Sequence, residues 1–300
     1  MKRSKWLKVM TTVISGPGQP TIGKQLAGLL NANHVTVSDK FFPDGERDMK
    51  LSSESLDKKT IIVQSISQPQ DSNLFSLLQL AYTAEEFGAK DITLVAPYLA
   101  YGAKDRRILT GEVVSIYHVF KLLRATPAKR LYVIDIHNTE VLKGREDFFH
   151  NISAMPSFGK YYLEKNLNNP LVLAPDLGAK ERVSIIGKVM NADTDYFDKK
   201  RDSVTGETNL NPHKIDVKER DVIIADEVIR TGGTIAKSIA ALKEMNIGRV
   251  FVASTHMMNV NDADKRILNA GAEEIICTDS LPSNYSKIQC APLIHKELKI

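Results

Sequence analysis

Short runs rich in valine and isoleucine alternate with amphipathic segments along the chain. Strand-length apolar runs lie at 9–14, 60–64, 92–96, 131–134, 171–174, 221–225, 250–254 and 275–278. Most are bounded by polar or turn residues, as buried parallel strands are. Segments 23–30, 73–87, 115–123, 181–190, 234–245 and 262–270 carry apolar residues at spacings of three and four, which predicts helices. Twice a helix closes on Gly-Ala just before a strand, at Gly88-Ala89 and at Gly271-Ala272. Glycine there accepts the left-handed turn that ends a helix. Strand alternating with helix predicts an α/β fold with mainly parallel sheets flanked by helices.

At 300 residues, the length suggests two domains, since ~100–200 residues per domain is usual. A polar stretch at 142–151 separates two αβ arrays of similar size, placing the division between 1–145 and 146–300. The last ~15 residues are a candidate to pack back on the N-terminal domain. The stretch 199–212 is strongly polar and reads as a hairpin or a mobile loop. Apolar content of 43% and charged content of 25% are ordinary for a globular chain and exclude disordered and collagen-like classes. A net charge of +4 gives no reason to expect a nucleic-acid partner. Two cysteines, Cys277 and Cys290, are too few for a disulfide framework. The apolar runs fall well short of the ~20 residues that cross a bilayer, so no membrane partner and a cytoplasmic location are expected.

The segment with most chemical content is Val222-Ile223-Ile224-Ala225-Asp226-Glu227-Val228-Ile229-Arg230-Thr231-Gly232-Gly233-Thr234. An apolar strand ends in two acids, and a Thr-Gly-Gly-Thr turn then opens a helix. Glycines let backbone approach a phosphate, and a helix N-terminus offers it free N–H groups and a positive dipole end. Thr231 and Thr234 add hydroxyls, while Asp226 and Glu227 are placed to accept from sugar hydroxyls. A plain strand–turn–helix corner is the competing reading, and the full pattern is too specific for it.

This segment resembles the phosphoribosyl diphosphate signature shared by type I phosphoribosyltransferases and ribose-phosphate pyrophosphokinases. Other segments favour the second family. Phe42-Pro43-Asp44-Gly45-Glu46 resembles its loop that reaches the adenine of ATP across a dimer interface. Pro97-Tyr98-Leu99-Ala100-Tyr101, followed by Asp105-Arg106-Arg107, resembles its ATP-site stretch. Asp135-Ile136-His137 resembles the segment with its metal-associated histidine, and Pro175-Asp176-Leu177-Gly178 with Arg182 its ribose-side loop. Asp198-Lys199-Lys200-Arg201 resembles the strand and loop bearing its catalytic Lys and Arg. The likeness runs in order over nearly the whole chain.

The resemblance implies two phosphoribosyltransferase-like domains, the first on the ATP side, the second on the ribose 5-phosphate side. It implies transfer of the diphosphoryl group of Mg-ATP to the anomeric hydroxyl of ribose 5-phosphate, giving phosphoribosyl diphosphate and AMP. Lys199 and Arg201 are then catalytic. Two apart, they share one side of an extended segment. Phe42, Asp44, Glu46, Lys104, Asp105 and His137 would meet ATP. Asp176, Asp226, Glu227, Arg230, Thr231, Gly232, Gly233 and Thr234 would meet ribose 5-phosphate. His137 and Asp176 are the candidates on Mg2+, which needs few protein ligands. Self-association as a dimer or hexamer is implied as well.

Departures from the family pattern keep a second reading open. Its Asp-Asp is here Asp226-Glu227, and Arg230 stands where the family has a small or acidic residue. Its ATP-site arginine is Ala103; the adjacent Lys104 can replace the charge but not the guanidinium geometry. Ala179 replaces a glycine. The alternative is a non-catalytic regulatory homologue that binds nucleotide or sugar phosphate and associates with an active subunit. A phosphoribosyltransferase acting on a base is the weaker third reading, against which the adenine-loop likeness counts. Gly18 to Lys24 has the spacing of a phosphate-binding Walker loop, but Gln25 replaces its Ser/Thr and Pro20 removes an N–H, so it reads as a strand-to-helix turn.

Overall fold

A computed structural model describes residues 10–201, 208–212 and 216–298, with side chains 199–201 and 208–215 outside the description. The chain divides into two compact units. One ends at Ile152 and takes in the C-terminal segment from Gln289; the other is Ser153–Ile288.

The first unit contains β1 (Thr11–Ser15), α1 (Pro20–Leu30), β2 (Asn33–Phe41), β3 (Arg47–Leu51), β4 (Lys59–Val63), α2 (Gln70–Glu86), β5 (Asp91–Ala96), α3 (Ser115–Arg124), β6 (Arg130–Ile134) and β7 (Phe149–Ile152). The second contains α4 (Met155–Leu163), β8 (Leu171–Ala174), α5 (Lys180–Met190), β9 (Asp193–Arg201), β10 (Thr208–Pro212), β11 (Val222–Ile229), α6 (Gly233–Lys243), β12 (Val250–Met257), α7 (Ala263–Ala270), β13 (Glu274–Thr278) and β14 (Ser286–Ile288). α8 (Cys290–Glu297) returns to the first unit, where it packs on α1.

Among the described residues each unit has a seven-stranded sheet, ordered β3-β2-β1-β4-β5-β6-β7 and β10-β9-β8-β11-β12-β13-β14. The two orders are the same pattern. In both, an antiparallel hairpin forms one edge and the remaining pairings are parallel. The predicted α/β class with mainly parallel sheets is therefore observed twice. Even the joints repeat: α1 and α5 end on left-handed Asn31 and Asn191, each followed by alanine and the next strand.

The predicted runs are the buried centres of the sheets, with Val13, Ile62, Leu94, Val172, Ile224, Val252 and Ile276 at 1% exposure or less. The hairpin edges escape this pattern. The outermost strands β3 and β10, and the strands β2 and β9 that pair with them, are rich in polar residues, because a sheet edge faces water on one side and is blunted by charge. The stretch 142–151 is less of a spacer than its polarity suggests: Leu142, Phe148 and Phe149 are buried, and Phe149 begins β7. α4 and α8 are short, eight or nine residues each; α4 buries its apolar stripe of Met155, Phe158 and Tyr162. No helix among the described residues is long and apolar enough to cross a membrane.

An ion pair between buried Asp221 and the more exposed Arg249 fixes the approach to β11. Asp221, 3% exposed, accepts from Asn168 N–H at 2.8 Å, Arg249 N–H at 2.8 Å and Arg249 Nη2 at 2.6 Å. Burial alone would push this carboxyl up; the Arg249 guanidinium and the backbone donors outweigh it and hold the carboxyl below its usual value. A lowered folded-state value contributes stability above the unfolded value, roughly 3.9, and that contribution is lost as pH falls through the folded value. Asp221→Asn is expected to cost about 2 kcal/mol at neutral pH, roughly 5 °C in Tm. It should also flatten the fall in Tm below about pH 4 relative to the parent. Parallel melting curves across pH check this; equal acid slopes would refute it.

Candidate active site

In each sheet the chain leaves the first strand toward the hairpin edge and the fourth strand toward the other edge. This reversal opens a crevice beyond the carboxyl ends of the two strands, where open α/β sheets bind ligands. In the second unit the crevice lies beyond β8 and β11. Pairing of β11 with β8 stops at Ile224, while β11 runs on to Ile229. Asp226 and Glu227 lie on this overhang.

Glu227 is 3% exposed, and its carboxylate is held by Arg182 Nη1 at 3.2 Å. The same nitrogen donates to Gly178 O at 3.2 Å. Gly178 N–H in turn donates to Asp176 Oδ1 at 3.0 Å. Glu227 N–H donates to Asp226 Oδ1 at 2.8 Å. Burial, then the neighbouring Glu227, pushes the Asp226 carboxyl well above its usual value, against the pull of the Glu227 N–H and Arg182. The structure thus sets Asp226 beside Glu227, supplies Glu227 with a cation, and links the Asp176 turn to that cation through Gly178.

Beyond β11 the loop Arg230-Thr231-Gly232 turns into α6. Gly232, at φ 68°, caps the helix in the left-handed region. A Cβ there would stand 2.9 Å from Ala263 O and 3.1 Å from Ile267 Cδ1. Arg266 of α7 donates through Nη1 to Thr231 O, and Val260 N–H donates to Arg230 O at 2.8 Å. The loop is therefore shaped from behind, leaving the side chains of Arg230, Thr231 and Thr234 exposed. Arg266 is not legible from sequence, since it lies on a separate helix. The Ala179 methyl is buried at 1% exposure.

The equivalent crevice of the first unit is filled. Gln64, fully buried at the end of β4, accepts from Gly18 N–H at 2.9 Å and donates to Asn73 Oδ1 at 3.1 Å. A Cβ at Gly16 would fall 2.2 Å from Gln64 Oε1. The Walker-like spacing thus forms a tight strand-to-helix turn whose N–H groups face protein, as its proline and glutamine indicate.

The other predicted residues of this unit fall in two places. At the ends of β5 and β6, Asp105 accepts from Asn138 Nδ2 at 2.7 Å, and Gly102 approaches His137 so closely that a Cβ would lie 3.4 Å from the His137 Cβ. Tyr101 (φ 68°) and Asp135 (φ 40°) both hold left-handed backbone here. Strain of this kind persists where surrounding structure imposes it and collects at functional sites. Lys104 Nζ pairs with Glu112 at 2.8 Å. This bond, with N–H donation from Ile108 and Leu109, draws the Glu112 carboxyl down to about 2. The charge of Lys104 is thus already answered within its own loop, a partner that sequence did not reveal.

Phe42, Asp44 and Glu46 lie on the β2–β3 turn. Phe42 N–H donates to Glu46 O at 2.8 Å, and Asp44 Oδ1 accepts from Glu46 N–H at 3.1 Å. Arg47 anchors the base of this turn to α2 through Asn73 and Ser76 and pairs with Asp39 at 2.7 Å. The Phe42 ring stays 43% exposed. Lys199 and Arg201 fall on β9, with backbones opposite Leu210 and Thr208; their side chains lie outside the described residues. Among the described residues no three His, Cys, Asp or Glu side chains gather to hold a metal ion.

Residues 11–126 match the N-terminal domain of ribose phosphate pyrophosphokinase, and 154–277 match the phosphoribosyl transferase domain. The ribose-phosphate pyrophosphokinase of Methanopyrus kandleri is 35% identical over 90% of this chain and 92% of its own. That of Pyrococcus furiosus is 37% identical over 87% and 91%. The crystal structure of phosphoribosylpyrophosphate synthetase from Mycobacterium smegmatis superposes with a TM-score of 0.84 at 23% identity, covering 96% of this chain and 97% of that one.

Proposed function

Since the chain belongs to the ribose-phosphate pyrophosphokinase family and is a ribose-phosphate diphosphokinase, we propose that it moves the diphosphoryl group of Mg-ATP to the anomeric hydroxyl of ribose 5-phosphate. The observation that carries this is the second-unit crevice, with half-buried Asp226 and buried Glu227 on a strand overhang followed by a left-handed glycine turn at a helix N-terminus. Thr231 to Thr234 receive the 5-phosphate on backbone N–H groups and hydroxyls. Asp226 and Glu227, with Asp176 beside them, accept from the ribose hydroxyls and so orient the attacking oxygen. Arg230, exposed at the loop, adds a cation to the phosphate.

On the nucleotide side the reading assigns Phe42, Asp44, Glu46, Lys104, Asp105 and His137. Lys199 and Arg201 meet the charge that grows on the transferring phosphoryl group. Phosphoryl transfer depends mainly on positioning and neutralisation of charge, so no covalent enzyme intermediate is required. His137 and Asp176 are the proposed contacts of Mg2+. One imidazole and one carboxylate suit a cation that keeps most of its waters. When bound, the ion supplies charge neutralisation on the phosphates. Association of copies through the Phe42–Glu46 turn belongs to the same reading.

The test is incubation of the purified chain with Mg-ATP and ribose 5-phosphate, with AMP and phosphoribosyl diphosphate measured together. Equal amounts of both, dependent on the sugar, are expected. AMP formation that ignores the sugar, or none with any nucleoside triphosphate, would refute the assignment.

A further inference from the structure

The acids of the second-unit crevice are tied to one guanidinium that none of the roles above uses. Arg182 sits in the first turn of α5, and its Nη1 touches both Gly178 O and Glu227 Oε2 at 3.2 Å. From there contacts continue to Asp176 Oδ1 through Gly178 N–H and to Asp226 Oδ1 through Glu227 N–H. We propose that Arg182 is a positioning residue for ribose 5-phosphate, locking the Asp176 loop and the Glu227 carboxylate in one arrangement so that the acids face the sugar together.

This rests on the assignment of Asp176, Asp226 and Glu227 to the sugar made above. A carboxylate nearly removed from water stays in place when a cation with directed donors holds it. Glu227 is such a group, and the two N–H bonds of one planar nitrogen fix the angle between Glu227 and the Gly178 carbonyl. Without that nitrogen the Glu227 carboxylate loses a directed cation, and the loop that carries Asp176 loses this link to β11. The buried face of α5 is made by Val183, Ile186, Gly187 and Met190, not by Arg182. Removal of the guanidinium therefore acts on the acids rather than on the helix.

The test compares Arg182→Gln, Arg182→Lys, Glu227→Gln and the double variant with the parent. It combines steady-state kinetics, with ATP and ribose 5-phosphate varied separately, and calorimetric titration of ribose 5-phosphate. Arg182→Gln is expected to raise the ribose 5-phosphate KM and Kd about tenfold or more while the ATP KM stays within about twofold. Arg182→Lys should fall between, since it keeps the charge and loses the fork. The double variant should be no worse than the worse single, because both act through one contact. Unchanged sugar affinity in Arg182→Gln, or losses that multiply in the double variant, would overturn the proposal. If Arg182→Gln does not fold, Arg182→Lys decides: weaker sugar binding at the parent's Tm supports it, and unchanged binding refutes it. A parent that binds the sugar but transfers nothing to it would sink the reaction assignment alone, and the Kd values still judge Arg182. A parent that does not bind ribose 5-phosphate would overturn both.

Discussion

Lys199→Ala is expected to lower turnover by about a thousandfold, with the KM for each substrate changed only a few-fold. A cation aimed at a transferring phosphoryl group acts mainly in the transition state, where its loss costs ~10²–10⁵ in rate. The backbone supports this economy of effect. β9 is rooted in the unit by Phe197, 1% exposed, whose register partner on β10 is Pro212. Lys199 lies two residues further out, paired by backbone to Leu210. Alanine can keep the same backbone pairing on β9, so far-UV circular dichroism and Tm should stay at parental values. Rapid-quench measurement of AMP formation reads the effect directly. Turnover within about tenfold of the parent would remove Lys199 from the catalytic assignment.

Gly232→Val should cut kcat/KM for ribose 5-phosphate by about a hundredfold, a loss of ~2.7 kcal/mol in transition-state binding. Two costs combine. A β-branched residue is disfavoured at φ 68°, where L-residues lose roughly 1–2 kcal/mol. Its Cβ would also stand 2.9 Å from a backbone oxygen of α7, which cannot swing aside as a side-chain end can. The loop must then shift, and the N–H groups proposed to receive the 5-phosphate shift with it. The ATP KM should stay near the parental value, and a lowered Tm should accompany the loss. A tightened or unchanged KM for the sugar would show that this loop does not meet the phosphate.

The departures from the family pattern look different in three dimensions. Ala179 is 1% exposed, so its added methyl is accommodated within the fold. The longer second acid has a matched partner in Arg182. Lys104 is engaged with Glu112, so a role toward ATP requires that pair to open or to be shared. The difference follows from distance in sequence: Glu112 is eight positions from Lys104 across an irregular loop, and no periodicity connects them.

The sequence by itself determined the alternation of strand and helix, since apolar runs of valine and isoleucine have no stable place except inside a sheet covered on both faces. It also determined the chemistry on offer, because two acids, a Thr-Gly-Gly-Thr turn and a helix start are contiguous in the chain. The polar edge strand β3 was invisible to that logic, as its place depends on a neighbour's hydrogen bonds rather than on its own apolarity, whereas the polar stretch 199–212 read as a hairpin or loop, and its ends pair antiparallel as β9 and β10. Only the tertiary structure decided that both halves share one strand order. It likewise decided that one switch-point crevice is filled by Gln64 while the other is lined by acids. Those outcomes rest on contacts between residues far apart in the chain: Gln64 with Gly18, Glu227 with Arg182, Arg266 with Thr231. Such pairs are set by how the sheets bring strand ends together, and local sequence carries no mark of them.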